Sequence, residues 1–502
     1  MTGPTNDARV DRVPDMTATD AASESAPASR ATEVALPNWR IDAAVLGIVA
    51  VLLRLPAFFT DKSLVFDDGV FAASAYAMRA GEAPFKTVFS SQGPLFLPLI
   101  WLGDLVGFRT VNSPRVLSVV SGVVVTIAVY AIARRITTRG RALLAAGLTT
   151  TAGTILWVTV PANADGPSLA LSVLAVAFAL RYRDDPRVRN AVWVGLAAGG
   201  AVSIKALSVP AVLIAGLIVL CSHKKVRDSI QAAAIAAGVA VAVYVVAALP
   251  WGIGRVWQQS FTYHNKARRI ASHTGAAQKI WNTLVDRDLL VIVTLGLTIV
   301  TVIVLLVMGR RATRAQLVVV GMLVLWAFLV FALLVWEPAM WRAHVAHLVV
   351  PLALLAALRP PPWPVLAIAL VVATPIWIDR NTAILWPSAY AGNDAALVRK
   401  LETLPADAQV ISDDPGWVWR ADRRPPGGFA DVSYQRIDND QITEDSLLRA
   451  AKTDEVCGVI VSSPLHFRRF HTLPERLEAN GYERLHFGAK TLYLKRDCRP
   501  GG

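Results

Sequence analysis

The chain is short of charge. Of its 502 residues only 17% are Asp, Glu, Lys or Arg, while 54% are hydrophobic and the mean hydropathy is +0.46. Soluble globular chains carry about a quarter charged residues, so a wholly soluble protein is excluded. Cysteine is scarce too: three residues, with no Cys-x-x-Cys and no His-rich box. That leaves no cysteine-based metal or redox motif. Cys221 ends an apolar segment and is expected to pack there. Cys457 and Cys498 fall in a C-terminal domain expected outside the cytoplasm, where they are free to pair. A nucleic-acid-binding charge distribution is missing as well. The net charge is +13, but the two ends of the chain are nearly balanced and residues 41–389 hold +16 of it, at the ends of apolar runs. This is the positive-inside pattern of a membrane protein, and it argues against a nucleic-acid partner.

The apolar blocks are each about as long as the roughly 20 residues a bilayer crossing needs. Residues 1–40, rich in Ala, Ser, Thr, Pro and Asp, read as a disordered cytoplasmic tail. No leader precedes the run 41–59, so that run is expected to be the first span. Residues 94–108 are apolar but short and carry Asp104. If they crossed, Arg134, Arg135, Arg139 and Arg141 would face outward, so they are read as an interfacial or re-entrant helix in an outer loop, 60–114. Further spans follow near 115–133, 141–160, 167–182, 191–221 split at Lys205, 229–250, 288–308, 315–336, 343–358 and 364–378. That gives about eleven transmembrane helices in a domain covering 41–389, with the N-terminus inside. Residues 390–502 read as a small extracytoplasmic α/β domain. Its strands are expected at Ala408–Ile411, Gly458–Val461 and Thr491–Leu494, and its helical turns at Leu447–Ala451 and Leu473–Ala479. Within it Ser412-Asp413-Asp414-Pro415-Gly416 is read as turn chemistry.

One stretch stands apart. Phe66-Asp67-Asp68-Gly69 places two acids side by side just after the first span, and each raises the cost of ionising the other. On the predicted outer side, or just below it, lie Asp67, Asp68, Arg115, Asn163, Asp165, Lys205, Lys266, Arg268, Arg269, Arg342, His344 and His347. Ionisable groups within apolar segments usually pair or line a cavity. Acids and cations at one depth suit a phosphate-bearing ligand and a proton to be removed. Each has a plainer reading: Asp67 and Asp68 as helix caps, Lys205 snorkelling to the interface, and His344 and His347 bonding between helices.

The order of these features resembles the glycosyltransferase-C superfamily, which includes protein O-mannosyltransferases and aminoarabinose transferases. The similarity lies in Asp67-Asp68-Gly69 after the first span, Ser91-Gln92-Gly93-Pro94-Leu95-Phe96, Pro114-Arg115-Val116-Leu117-Ser118 and Asn163-Ala164-Asp165-Gly166-Pro167. It continues in Ala201-Val202-Ser203-Ile204-Lys205 and in Arg342-Ala343-His344 before Pro351-Leu352. The usual Asp-Glu pair is Asp-Asp here. The resemblance implies an inverting glycosyltransferase that moves a sugar from a polyprenyl-phosphate donor to a hydroxyl of a glycan, lipid or protein. The reaction would occur on the outer face of the cytoplasmic membrane. It implies Asp67 as general base and Asp68 beside it. Lys205, Lys266, Arg268, Arg269 and Arg342 would lie near the donor phosphate, and Gln92, Arg115, Asn163 and Asp165 on the acceptor side. The cofactor stays open between none and a divalent ion, Mg or Mn, held by Asp67, Asp165 and His344. The alternatives are a flippase for a lipid-linked sugar and a non-catalytic envelope-assembly protein.

Overall fold

The computed structural model describes residues 38–223, 225–270, 275–310, 312–337 and 340–498, with the backbone alone for 267–270. Nearly all of the expected tail 1–40 lies outside those residues. Among the described residues, five helices are long and apolar enough to cross a membrane: Ser113–Ile136, Val226–Trp251, Leu289–Val307, Arg314–Trp336 and Trp363–Leu385. Arg139–Thr151 and Gly153–Thr159, bent by 62° at their junction, make a sixth if taken together. The other expected spans are helical but shorter or more polar: Trp39–Leu52, Asp165–Asp184, Val188–Ile204, Val209–Leu220 and Ala346–Leu358. Helix Asp165–Asp184 shows why composition misses it, because it buries Asp165, Ser168 and Ser172 and ends in Arg181 and Arg183.

Small residues set the packing of the bundle. Gly195 and Gly199 stand one turn apart on helix Val188–Ile204, against helix Val226–Ala248. A Cβ on Gly195 would lie 2.5 Å from the Ala236 carbonyl oxygen, and one on Gly199 would lie 2.6 Å from that of Ala240. This is the close backbone approach that small-xxx-small spacing allows between membrane helices. Between the first two long segments, residues 60–114 form helices Phe66–Arg79 and Phe96–Val106, the second being the short apolar element expected at 94–108. Cys221 departs from expectation. It is the C-cap residue of helix Val209–Leu220 and is exposed, lying in the turn that ends the helix.

After Leu385 the chain becomes an α/β unit with strands β1 (Gln409–Ser412), β2 (Val456–Val461), β3 (Tyr482–Phe487) and β4 (Lys490–Lys495) in the order β1-β2-β4-β3. The β1–β2 pair is parallel and the other two pairs are antiparallel. Strand β3 was not expected from the sequence. It is a sheet edge whose outward face is polar, so it lacks a β-branched run. Cys457 and Cys498 form a disulfide that ties β2 to the end of the sheet. Asp414 caps helix Pro415–Arg420 by accepting from the Gly416 N–H at 3.0 Å, in keeping with the turn reading of that acid pair.

The same helix seats the unit on the 60–114 segment. Trp419 Nε1 donates to the Val111 carbonyl at 2.8 Å, and Arg420 donates to Asn112 Oδ1 at 2.7 Å and to the Lys62 carbonyl at 3.2 Å.

Candidate active site

Helix Phe66–Arg79 begins one residue before the acid pair, and its N-cap, Val65, makes no side-chain cap. Asp67 and Asp68 therefore both lie in the first turn, and neither is the capping residue. Asp68 is fully buried. Its Oδ2 receives Arg115 Nη2 at 2.5 Å and the Leu64 N–H at 3.0 Å; its Oδ1 receives Arg115 Nε at 3.2 Å and the Ala162 N–H at 2.8 Å. Arg115, equally buried, spends its remaining donors on the carbonyls of Ala57, Phe58, Thr60 and Lys62. A fully paired charge of this kind holds segments together and has no lone pair left for chemistry. This corrects the expected catalytic role of Asp68 and the acceptor-side role of Arg115. They join the first loop, the second loop and the start of helix Val116–Ile136.

Asp67 is the opposite case. It has no hydrogen bond or ion pair among the described residues, and its side chain is exposed to a cavity of about 1420 Å³. Burial within the surrounding walls pushes its carboxyl up to about 6; Lys205 opposes that, while Asp165, Asp431 and Asp68 add to it.

Lys205 lines the same cavity. Helix Val188–Ile204 stops at Lys205, whose backbone is extended (φ −154°, ψ 130°). Leu95 N–H donates to the Ser203 carbonyl at 3.0 Å and Gly93 N–H to that of Ile204 at 2.9 Å, satisfying carbonyls that the helix end leaves open. The Lys205 ammonium donates to Asp165 Oδ2 at 2.8 Å and lies 3.1 Å from His344 Nε2. His347 Nε2 stands 3.5 Å from the other Asp165 oxygen, and the Asn163 amide oxygen accepts from the Asp165 N–H at 2.6 Å. Asp165 is thus a buried counter-charge to Lys205.

The expected metal ligands Asp67, Asp165 and His344 do not fit a divalent ion. An ammonium already bridges two of them, and a second cation there would be repelled. Among the described residues no group of three or more His, Cys, Asp or Glu is arranged for a metal.

Three further cations line the cavity: Lys279, Arg287 and Arg342. Burial and then Arg342 lower the Lys279 ammonium, and Arg342 also acts on Arg287. Arg342 is therefore near enough to both Lys279 and Arg287 to act on them electrostatically. Arg342 has a partial counter-charge in Asp286, 3.6 Å away. Lys279 and Arg287 were not singled out in the sequence. They sit on helix Ala276–Arg287, in the same loop as the expected Lys266, Arg268 and Arg269, and one-dimensional spacing does not tell which loop cations turn inward. Lys266 is exposed and does not line the cavity, because helix Tyr263–Ile270 presents Tyr263 and His264 there instead. The side chains of Arg268 and Arg269 lie outside the described residues. Gln92, Asn163 and His344 do line it.

The cavity also has an apolar lining, to which Val209, Pro210 and Leu213 contribute from one helix and Leu329, Leu333 and Trp336 from another. The C-terminal unit also lines it, with residues that no sequence pattern indicated: Asp431, Ser433, Tyr434, Gln435, Leu465 and His466.

Compared with solved structures, the chain is similar to ArnT from Cupriavidus metallidurans in the apo state, with TM-score 0.62, 13% identity and coverage of 91% of this chain and 97% of that one. The same protein bound to undecaprenyl phosphate matches with TM-score 0.61, 13% identity and coverage of 91% and 98%. The chain has the glycosyltransferase-C fold. Residues 91–251 also match the family model described as dolichyl-phosphate-mannose-protein mannosyltransferase, a stretch that contains Gln92, Asn163, Asp165 and Lys205. No curated protein matches the sequence.

Proposed function

We propose that the chain is an inverting glycosyltransferase that takes a sugar from a polyprenyl-phosphate donor and attaches it to an acceptor hydroxyl at the outer face of the cytoplasmic membrane. The observation that carries this reading is the Asp67 carboxylate, without a hydrogen bond or ion pair among the described residues, in a cavity also lined by Lys205, Lys279, Arg287 and Arg342. The ArnT structure with undecaprenyl phosphate supports a lipid-phosphate donor by fold analogy.

In this reaction the acceptor oxygen attacks the anomeric carbon as the bond from that carbon to the phosphate oxygen breaks. The bonding pair leaves with the phosphate and inverts the centre. Asp67 takes the hydroxyl proton, and a raised carboxyl pKa makes it a better base for that step. The cations stabilise the charge that grows on the leaving phosphate. The apolar lining that includes Leu213 and Leu333 takes the start of the prenyl chain. No step is assigned to a metal, since the ligand set does not fit one.

The test uses the full chain in nanodiscs with decaprenyl- or undecaprenyl-phosphate sugars. A deletion strain's envelope glycans would name the acceptor and sugar for the assay. Lipid translocation without any sugar transfer would move the reading to a flippase.

A further inference from the structure

The cavity's charges are divided between its walls. Lys205, Lys279, Arg287 and Arg342 come from the membrane domain, with Glu337 beside them. The C-terminal unit contributes Asp431, Ser433, Tyr434, Gln435, Leu465 and His466, and among its described lining residues there is no Lys or Arg. Arg436, next to Gln435, does not line the cavity: its guanidinium lies 4.1 Å from the Phe89 ring centre, is committed to the carbonyls of Gly428 and Asp431, and acts electrostatically with Asp431. Asp67 lines the same cavity, near enough to both Lys205 and Asp431 for each to act on it electrostatically.

The C-terminal wall is held in place. Tyr263 from the membrane domain brings its hydroxyl to Ser433 Oγ at 3.1 Å and to Gln435 Oε1 at 3.3 Å. Asp431 is buried; its Oδ1 accepts from the Ser433 N–H at 2.9 Å, and its Oδ2 makes no hydrogen bond among the described residues. Tyr434 meets Trp341 edge-on with ring centres 6.4 Å apart, and His466 stacks on Phe66, next to Asp67, at 5.5 Å.

We infer that this wall is the acceptor subsite and that it takes an uncharged sugar residue of a glycan. The inference rests on the transferase reading above and names its acceptor class. Carboxylate, amide and hydroxyl groups together match the donor-and-acceptor hydroxyls of a sugar, and the aromatic rings offer apolar faces for its C–H surface. A phosphate or uronic acid placed here would meet Asp431 and Asp67 with no cation from this wall to compensate, and like charges brought together within protein walls are disfavoured. A peptide bound by strand addition needs an open sheet edge. None of the lining residues of this unit lies on a strand.

The experiment measures binding, without donor, to the full chain in nanodiscs by saturation-transfer NMR. The probes are matched pairs: neutral gluco-, manno-, galacto- and arabino-trisaccharides, and each with one residue replaced by a uronic acid or phosphate ester. At least one neutral member should bind about tenfold more tightly than its anionic partner. Asp431→Asn should shrink that ratio to below about threefold, and Asp431→Lys should reverse it. If the lysine variant does not fold, the asparagine variant, which keeps the size and one hydrogen bond, decides alone. Anionic members binding as well as or better than neutral ones in the unaltered chain would overturn the inference. So would the absence of any neutral binding below about 10 mM. Neutral binding of this kind in a chain that transfers no sugar would defeat the proposed reaction and leave the subsite standing.

Discussion

Successive residues of a helix point about 100° apart, and that rotation separates Asp67 from Asp68. Asp68 turns into the protein and meets Arg115; Asp67 turns into the cavity and makes no hydrogen bond or ion pair among the described residues. Asp68→Asn leaves a buried guanidinium without its counter-charge, so it should lower stability by about 3–5 kcal/mol, read as a large loss of thermal midpoint in detergent. Asp67→Asn should leave that midpoint equal or higher at pH 7. A carboxyl whose pKa is raised on folding contributes stability below its unfolded pKa and loses it as pH rises through the folded value, about 6 here. The same group fixes the pH profile of transfer: kcat/KM should fall as pH drops through about 6, where Asp67 takes up its proton. An acid limb that stays in place in the residual activity of Asp67→Asn, or that disappears on substitution of another cavity residue while Asp67 is intact, would contradict this assignment.

Among the elements, the junction of residues 93–95 with the end of helix Val188–Ile204 determines where Lys205 lies. A Cβ on Gly93 would fall 2.2 Å from the Ser203 carbonyl oxygen, so Gly93→Ala must push the two segments apart. Displacing an ammonium by about 1 Å can cost up to about a hundredfold. The variant should raise the KM for the lipid donor more than that for the acceptor, as steady-state titration of each substrate would show.

This junction also shows what a sequence can and cannot disclose. The break at Lys205 is visible as an apolar run too long for one span and interrupted by a charge. The helix at 96–106 is visible as a run too short to cross. The pairing of Gly93 and Leu95 with carbonyls more than a hundred residues away is not visible, because a hydrogen bond across that distance leaves no periodicity. For the same reason Lys279 and Arg287 were indistinguishable from Lys266 until the helix faces were known.

For the whole molecule, the division into a membrane bundle and a sheet-containing unit follows from composition alone, since apolar blocks stop near residue 385. That the second unit also lines the cavity of the first could not be read from it. The contacts that achieve this, Trp419 to Val111 and Tyr263 to Ser433 and Gln435, join residues separated by 170 positions or more. The sidedness drawn from basic runs makes its own prediction: reporter fusions at 138 should face the cytoplasm, and those at 90 and 400 the outside. A cytoplasmic residue 90 would put Asp67 on the side opposite to the proposed acceptor.

The most direct measurement compares the unaltered chain with Asp67→Asn in nanodiscs, following sugar transfer and lipid-donor binding in the same preparations. The account predicts that transfer falls by about a hundredfold or more while the donor Kd stays within about threefold, because the phosphate is held by Lys205, Lys279, Arg287 and Arg342. Transfer that survives in Asp67→Asn at near-normal rate, with the protein folded and the donor bound, would contradict it.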